Sequence, residues 1–141
     1  MKDNPDRGDR QSFVNFSFNF DSAAGIIYTV DVTKPRGEKI RVNGMADGTP
    51  FELDKQYKVA LNSYRGNGGG ELLTKGAGIA PERLTERIVE STDKDLRYYL
   101  MKFIEKKETL TPEPLGQWKF IPEEWTVPAS RRDYRILFGK E

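Results

Sequence analysis

Histidine and cysteine are both missing from this chain. Because imidazole is the usual general base near neutral pH and a common ligand of catalytic metal ions, the sequence excludes Ser-His-Asp and Cys-His devices and every metal cluster that needs histidine. Without cysteine there are no disulfides and no thiolate metal sites, a composition that fits any compartment. We therefore expect no catalytic residue and no metal ligand in this chain.

An excess of one charge and a long apolar run are missing as well. The 141 residues carry 23 Lys+Arg against 22 Asp+Glu, and this balance argues against a nucleic acid polymer as the partner. No run of about 18 apolar residues is present, so the sequence predicts no membrane span. The polar start at residues 1–10 lacks the apolar region of a signal peptide, although a domain excised from a precursor would have lost that signal.

Alternating apolar residues predict several strands. Residues 26–32 alternate, and the turn residues at 34–37 lead into a second alternating segment at 39–42, so a hairpin is expected. Residues 57–61 alternate in the same way and predict a third strand. The phenylalanines at positions 16, 18 and 20 are separated by polar residues, which predicts an extended segment with its rings on one face.

One helix is predicted over residues 93–106, with Thr92 and Asp95 placed like a capping box. Its apolar side chains follow the i, i+3, i+4 spacing of a helix with one buried face. We expect that row to lie in the core: Leu96, Tyr99, Leu100 and Phe103.

Composition divides the chain into three parts. Residues 1–15 are a flexible lead-in, residues 16–107 form the domain, and residues 108–141 are an aromatic, proline-containing tail. The tail carries many large apolar side chains, and their exposure to water is unfavourable. We therefore expect the tail to pack on the domain and to contribute short strands.

A glycine-rich loop at residues 66–70 follows the third predicted strand. Consecutive glycines allow positive φ and a close approach of the backbone to another group. A Walker phosphate loop needs a Gly-Lys-Ser/Thr ending, whereas this loop continues into residues 71–73, Glu-Leu-Leu. A tight turn into a short helix is therefore favoured over a phosphate loop.

Taken in order, several segments resemble the C-terminal domain of the 5'-nucleotidase and 2',3'-cyclic-nucleotide 2'-phosphodiesterase family. They are Phe20-Asp21-Ser22-Ala23-Ala24-Gly25-Ile26, a strand ending at Asp31, Pro35-x-Gly37, residues 57–61, and Tyr64-x-x-Asn67-Gly68-Gly69. The resemblance covers roughly residues 16–106. It implies an α+β (mixed α/β) fold of twisted, mainly antiparallel strands covered by helices, here truncated at its N-terminal side.

The resemblance also implies a nucleobase site. In this family two aromatic rings sandwich the base, and Phe20 and Tyr64 stand at those two positions. The loop residues Asn67, Gly68 and Gly69 would shape the pocket and contact the base or the ribose.

One position departs from the family pattern. Family members often carry an aspartate, which accepts the ribose hydroxyls, where this sequence has Gly70. Asp21 and Glu71 are candidates to replace it, and Arg65 is a candidate for phosphate binding or for stacking.

The reaction itself is expected elsewhere. The resemblance implies an N-terminal metallophosphoesterase domain of the same polypeptide, in which two divalent metal ions activate a water molecule. This chain alone would be inactive and hold no cofactor, and its parent would be a periplasmic or extracellular phosphoric ester hydrolase. Its ligand would be a nucleoside or nucleotide, with purines favoured.

Two other interpretations remain open at this stage. The chain could be a non-catalytic module that binds a sugar or another ring-bearing ligand on the same aromatic residues. It could also be a purely structural α+β domain with buried aromatics, since a period-two aromatic such as Phe20 is usually packed inside. A ligand screen separates the first alternative from nucleotide binding, and exposure of the two rings bears on the second.

Overall fold

The structure, a computed structural model, describes residues 2–3, 11–12 and 19–139. The strands are β1 (Lys2–Asp3), β2 (Gln11–Ser12), β3 (Ile26–Asp31), β4 (Ile40–Met45) and β5 (Trp118–Ile121). The helices are α1 (Ser63–Gly66), α2 (Leu96–Lys107) and α3 (Glu123–Phe138). Short helical turns lie at Gly69–Glu71, Leu72–Gly76, Pro81–Arg83 and Thr85–Arg87. The predictions for Phe16 and Phe18, and for most of the lead-in, fall outside the described residues.

The chain forms two compact units, and each is described by itself. The first unit contains residues 1–53 and 114–141, and the second contains residues 54–113. The first therefore holds β1 to β5 and α3, whereas the second holds α1, the short turns and α2.

A three-stranded mixed sheet is the centre of the first unit. Its order is β4-β3-β5, with β3 antiparallel to β4 and parallel to β5. The β3–β4 pairing confirms the predicted hairpin, and a mixed sheet with helices confirms the predicted α+β class. Tyr28 of β3 lies opposite Val42 of β4 and beside Trp118 of β5. Tyr28 is only 6% exposed and forms the core of this unit.

The hairpin turn is stabilised by the side chain of Asp31. Its Oδ1 accepts hydrogen bonds from the Thr33 amide at 2.9 Å and from Thr33 Oγ1 at 2.6 Å. These two bonds hold the pKa of the Asp31 carboxyl below its ordinary value. Gly37 completes the turn at φ +94°, where only glycine is unstrained.

The tail adds one strand and one long helix to the first unit. The strand β5 extends the sheet beside β3, and α3 begins directly after Pro122. Glu123 in the first turn of α3 pairs with Lys119 at 2.5 Å, and this pairing lowers the pKa of the Glu123 carboxyl. The prediction of short strands in the tail is confirmed for β5 but wrong for residues 123–138, which form α3 although Pro128 lies inside it and interior proline disfavours a helix.

In the second unit, the predicted strand over residues 57–61 is wrong. No strand forms at those positions, because among the described residues no neighbouring strand pairs with this segment. The alternation of apolar residues is real, yet Val59 and Leu61 are both exposed. The chain instead turns into α1, which Asn62 caps by accepting a hydrogen bond from the Arg65 amide at 2.9 Å.

The predicted helix over residues 93–106 is confirmed as α2. It begins three residues later than predicted, and the predicted capping box is wrong: Asp95 is itself the N-cap and accepts a hydrogen bond from the Tyr98 amide at 2.9 Å, whereas Thr92 Oγ1 donates to the Lys94 carbonyl. The prediction that its apolar row lies in the core is wrong. The four residues of the row are all exposed: Leu96, Tyr99, Leu100 and Phe103. Leu84 is the buried hydrophobic residue of this unit.

None of the helices in the described ranges combines the length and the apolar character that a membrane crossing requires.

Candidate functional site

Phe20 is the outermost member of an aromatic cluster in the first unit. It is 59% exposed, although it lies directly before the segment that leads into β3. Its ring centroid is 5.7 Å from that of Trp118 and 6.4 Å from that of Phe120, tilted by 41° and 45°. Both separations are within the range of favourable aromatic pairs. The Phe20 ring is thus supported by protein and still accessible to solvent.

Trp118 connects Phe20 to the core of the first unit. Its ring is parallel to that of Tyr28, at 5.8 Å with 9° between the planes, and meets Phe120 edge-on at 5.2 Å. Sequence analysis missed Trp118 as a site residue. The available signal was its spacing from Phe120, because residues two apart share one face of a strand.

Two side chains fix the segment between Phe20 and β3. The hydroxyl of Tyr28 accepts a hydrogen bond from the Ala23 amide at 3.1 Å, and Gln117 Oε1 accepts one from the Gly25 amide at 2.8 Å. A shallow cleft lies beside them, lined by residues 22–24 and 114–118. Asp21 is exposed at the start of this segment.

Tyr64 is the corresponding ring of the second unit. It lies in α1 and is 56% exposed. Gly69 passes so close to Tyr64 that a Cβ at position 69 would lie 2.5 Å from the ring and 2.5 Å from the Tyr64 carbonyl oxygen. Only glycine fits there without displacing the tyrosine.

The glycine loop after α1 and the residue that follows it have positive φ at three positions. Gly68 has φ +90°, Gly70 has φ +67° and Glu71 has φ +62°. Asn67 begins the loop, and its amide donates to the Ser63 carbonyl at 2.9 Å. Asn67 is exposed, whereas Gly68 and Gly69 are half-buried. The loop is a tight turn, in agreement with the sequence analysis.

Arg65 is buried beneath this loop and is only 5% exposed. Its Nη1 donates a hydrogen bond to the Gly69 carbonyl at 3.2 Å. The centre of its guanidinium lies 5.3 Å from the centroid of the Tyr64 ring, a cation–π distance. Arg65 therefore fixes both the ring and the loop.

The structure brings together the predicted site residues of the second unit: Tyr64, Arg65, Asn67, Gly68 and Gly69. Phe20 and Asp21 belong to the first unit, so the sandwich of a base by Phe20 and Tyr64 stays a prediction. Within the described ranges, no group of three or more acidic side chains is placed to hold a metal ion.

Comparison with known proteins gives two relatives. The chain is 29% identical over 136 residues to the trifunctional nucleotide phosphoesterase protein YfkN of Bacillus subtilis (strain 168), covering 86% of this chain. It is 25% identical over 117 residues to the 2',3'-cyclic-nucleotide 2'-phosphodiesterase/3'-nucleotidase of Haemophilus influenzae, covering 75% of this chain. The matched regions are only 9% and 17% of those relatives. No solved structure matches the chain.

A family model also matches the chain. The model is described as 5'-nucleotidase, C-terminal domain, and it matches residues 4–75, which is about half of the 141 residues. The match includes Phe20, Tyr64 and the glycine loop as far as Lys75. By this match, the chain belongs to the 5'-nucleotidase C-terminal domain family.

Proposed function

We propose that this chain is the nucleobase-recognising part of a nucleotide phosphoesterase. Hydrolysis takes place at two divalent metal ions in an N-terminal domain of the same polypeptide, and this chain alone turns over no substrate. The names of both relatives support a parent that hydrolyses nucleotide esters. The absence of histidine fits a division of labour in which this chain binds and another domain reacts.

The observation that carries the proposal is the exposure of two supported aromatic rings. Phe20 and Tyr64 are 59% and 56% exposed, and each is held by neighbours within its own unit. Other rings, such as Tyr99 and Trp125, are exposed as well. The proposal therefore also rests on the position of Phe20 and Tyr64 within the family-matched residues 4–75. An exposed ring without support would lose more entropy on binding. A supported, accessible ring is suited to stacking on a flat ligand.

A purine between the two rings would gain about 1–3 kcal/mol from each stacking contact. The rings would then stand about 7 Å apart, which is two stacking distances. Because this energy is present before the reaction and during it, the rings would lower KM more than they raise kcat.

The loop residues complete the proposed pocket. Asn67 and the amides of Gly68 and Gly69 contact the base or the ribose, and Asp21 or Glu71 accepts the ribose hydroxyls in place of the aspartate that Gly70 replaces. Arg65 does not contact the ligand in this proposal. It is buried and donates to the Gly69 carbonyl, so it holds the loop in position.

Kinetics of the full-length parent test the proposal. Phe20→Ala or Tyr64→Ala should raise KM for AMP roughly tenfold, since each removes one stacking contact. Ribose 5-phosphate, which has no base, is the matched substrate, and its KM should stay within about twofold. Tyr99→Ala, at another exposed ring, is the control variant. Unchanged KM for AMP in both site variants would rule out the proposed role.

Substrate class and compartment are part of the same proposal. We expect purine nucleotides to be preferred and the parent to act in the periplasm or outside the cell. A binding screen of nucleosides against sugars tests the ligand class, because a general sugar-binding module would favour the sugars. Activity measured in separated cell fractions tests the compartment, and activity confined to the cytoplasm would contradict it.

A further inference from the structure

We infer that Trp118 and Gln117 are positioning residues of the nucleobase site, so that the tail forms part of the recognition apparatus. This inference rests on the proposed function of Phe20. It adds residues that hold Phe20 in position. These residues lie in the tail, outside the family-matched residues 4–75.

The first support is the ring of Trp118. It lies 5.7 Å from Phe20 on one side and is parallel to the buried Tyr28 at 5.8 Å on the other. The orientation of Phe20 is thereby linked to the best-buried side chain of the sheet. Phe120 approaches both Phe20 and Trp118, at 6.4 and 5.2 Å, and completes the cluster.

The second support is a hydrogen bond from the tail to the segment after Phe20. Residues 20–25 form no strand or helix, and the Gly25 carbonyl accepts a hydrogen bond from the Ala46 amide at 2.9 Å. Gln117 Oε1 accepts the Gly25 amide at 2.8 Å, and Gly25 has φ +92°, a conformation that few other residues adopt. The bond thus fixes the segment where it joins β3.

The parallel pairing of β5 with β3 places both supports together. Tyr28 is the register partner of Trp118, and the Tyr28 amide donates to the Gln117 carbonyl at 3.0 Å. A ring that is already oriented loses less side-chain entropy when a base stacks on it. Removing the support should therefore weaken base binding without touching the phosphate chemistry.

The test is a comparison of two substrates in the full-length parent. Trp118→Leu should raise KM for AMP roughly three- to tenfold, while kcat and the KM for ribose 5-phosphate change less than about twofold. Gln117→Ala should act in the same direction, by roughly two- to fivefold. Trp125→Leu is the matched control, because Trp125 is an exposed tryptophan of α3, and it should behave as wild type.

Thermal melting of each variant accompanies the kinetics, since Trp118 also packs on Tyr28. If Trp118→Leu does not fold, Gln117→Ala decides, and it should raise KM for AMP selectively. Equal changes for AMP and ribose 5-phosphate would overturn the inference. The inference would also be overturned if Phe20→Ala raises the KM for AMP while the tail variants leave it unchanged. The proposed function would still hold in that case. If Phe20→Ala and Tyr64→Ala are also without effect, the proposed function itself fails.

Discussion

The two units each present one exposed aromatic ring, but they support it by different means. Phe20 packs against Trp118, which lies about 100 residues later in the chain, in the strand β5 that pairs in parallel with β3. Tyr64 is held by its immediate neighbours, with Arg65 against its ring and Gly69 packed beneath it. One support is non-local and apolar, and the other is local and built from a cation and a glycine.

This difference determines which substitutions should disturb each ring. The support of Tyr64 lies entirely within the family-matched residues 4–75, so a short sequence motif is enough to specify it. The support of Phe20 depends on β5 reaching its place in the sheet, which requires correct folding of the tail. Changes in the loop should therefore affect Tyr64 alone, and changes in the tail should affect Phe20 alone.

The largest effect is expected at Gly69. In Gly69→Ala the new Cβ would lie 2.5 Å from both the Tyr64 ring and its carbonyl oxygen, so the ring or the backbone must move. Overpacking of this kind costs about 1–3 kcal/mol. KM for AMP in the full-length parent should rise roughly tenfold or more, with little change for ribose 5-phosphate.

Gly66→Ala is the matched control, because a Cβ there has nothing within 4 Å. It should leave both KM values close to wild type. Equal behaviour of the alanine variants at positions 66 and 69 would show that close packing against Tyr64 is unimportant.

An intermediate effect is expected at Arg65. Arg65→Met keeps an unbranched apolar stem but removes the guanidinium, which leaves the Gly69 carbonyl without this donor, in a region where Arg65 is 5% exposed. A lost bond to a buried charged group costs about 1.5–3 kcal/mol, so the free energy of unfolding should fall by that amount in a urea titration. Arg83→Met is the control, since Arg83 pairs with Glu86 in solvent. Its effect should be within about 1 kcal/mol, and an equally small effect at Arg65 would contradict the supporting role.

The smallest effect concerns the hairpin of the first unit. Hydrogen bonds from Thr33 lower the pKa of Asp31 below its ordinary value of 3.8. A carboxyl with a lowered pKa contributes stability above the ordinary value and loses it as the pH falls through the lower, folded value. Thr33→Val removes the side-chain hydrogen bond, so an NMR titration should show the Asp31 pKa rising toward 3.8. An unchanged pKa would mean that the bond does not stabilise the turn.

Local chemistry was enough to predict several features from sequence. The turn residues between β3 and β4 specify the hairpin, the apolar spacing specifies the helix α2, and the glycine loop specifies a tight turn after Tyr64. Each depends on residues close together in the chain, where hydrogen bonding and steric limits decide the outcome.

The features that sequence did not predict depend on distant partners. Nothing near Trp118 indicates that β5 lies parallel to β3, and the alternation at residues 57–61 could not reveal that no strand pairs with it. The helix α3 was not predicted either, and Pro128 lies inside it. Sequence analysis missed the support of Phe20 for this reason. The support of Tyr64 comes from residues near it in the chain, so it could be predicted from sequence.

The central claim is that Phe20 and Tyr64 bind the two faces of one base. A crystal structure of the full-length parent with bound AMP tests it most directly. The claim predicts the adenine between the two rings, in a gap of about 7 Å, with Trp118 still behind Phe20. An adenine that stacks on neither ring, or two rings buried apart from each other, would contradict it.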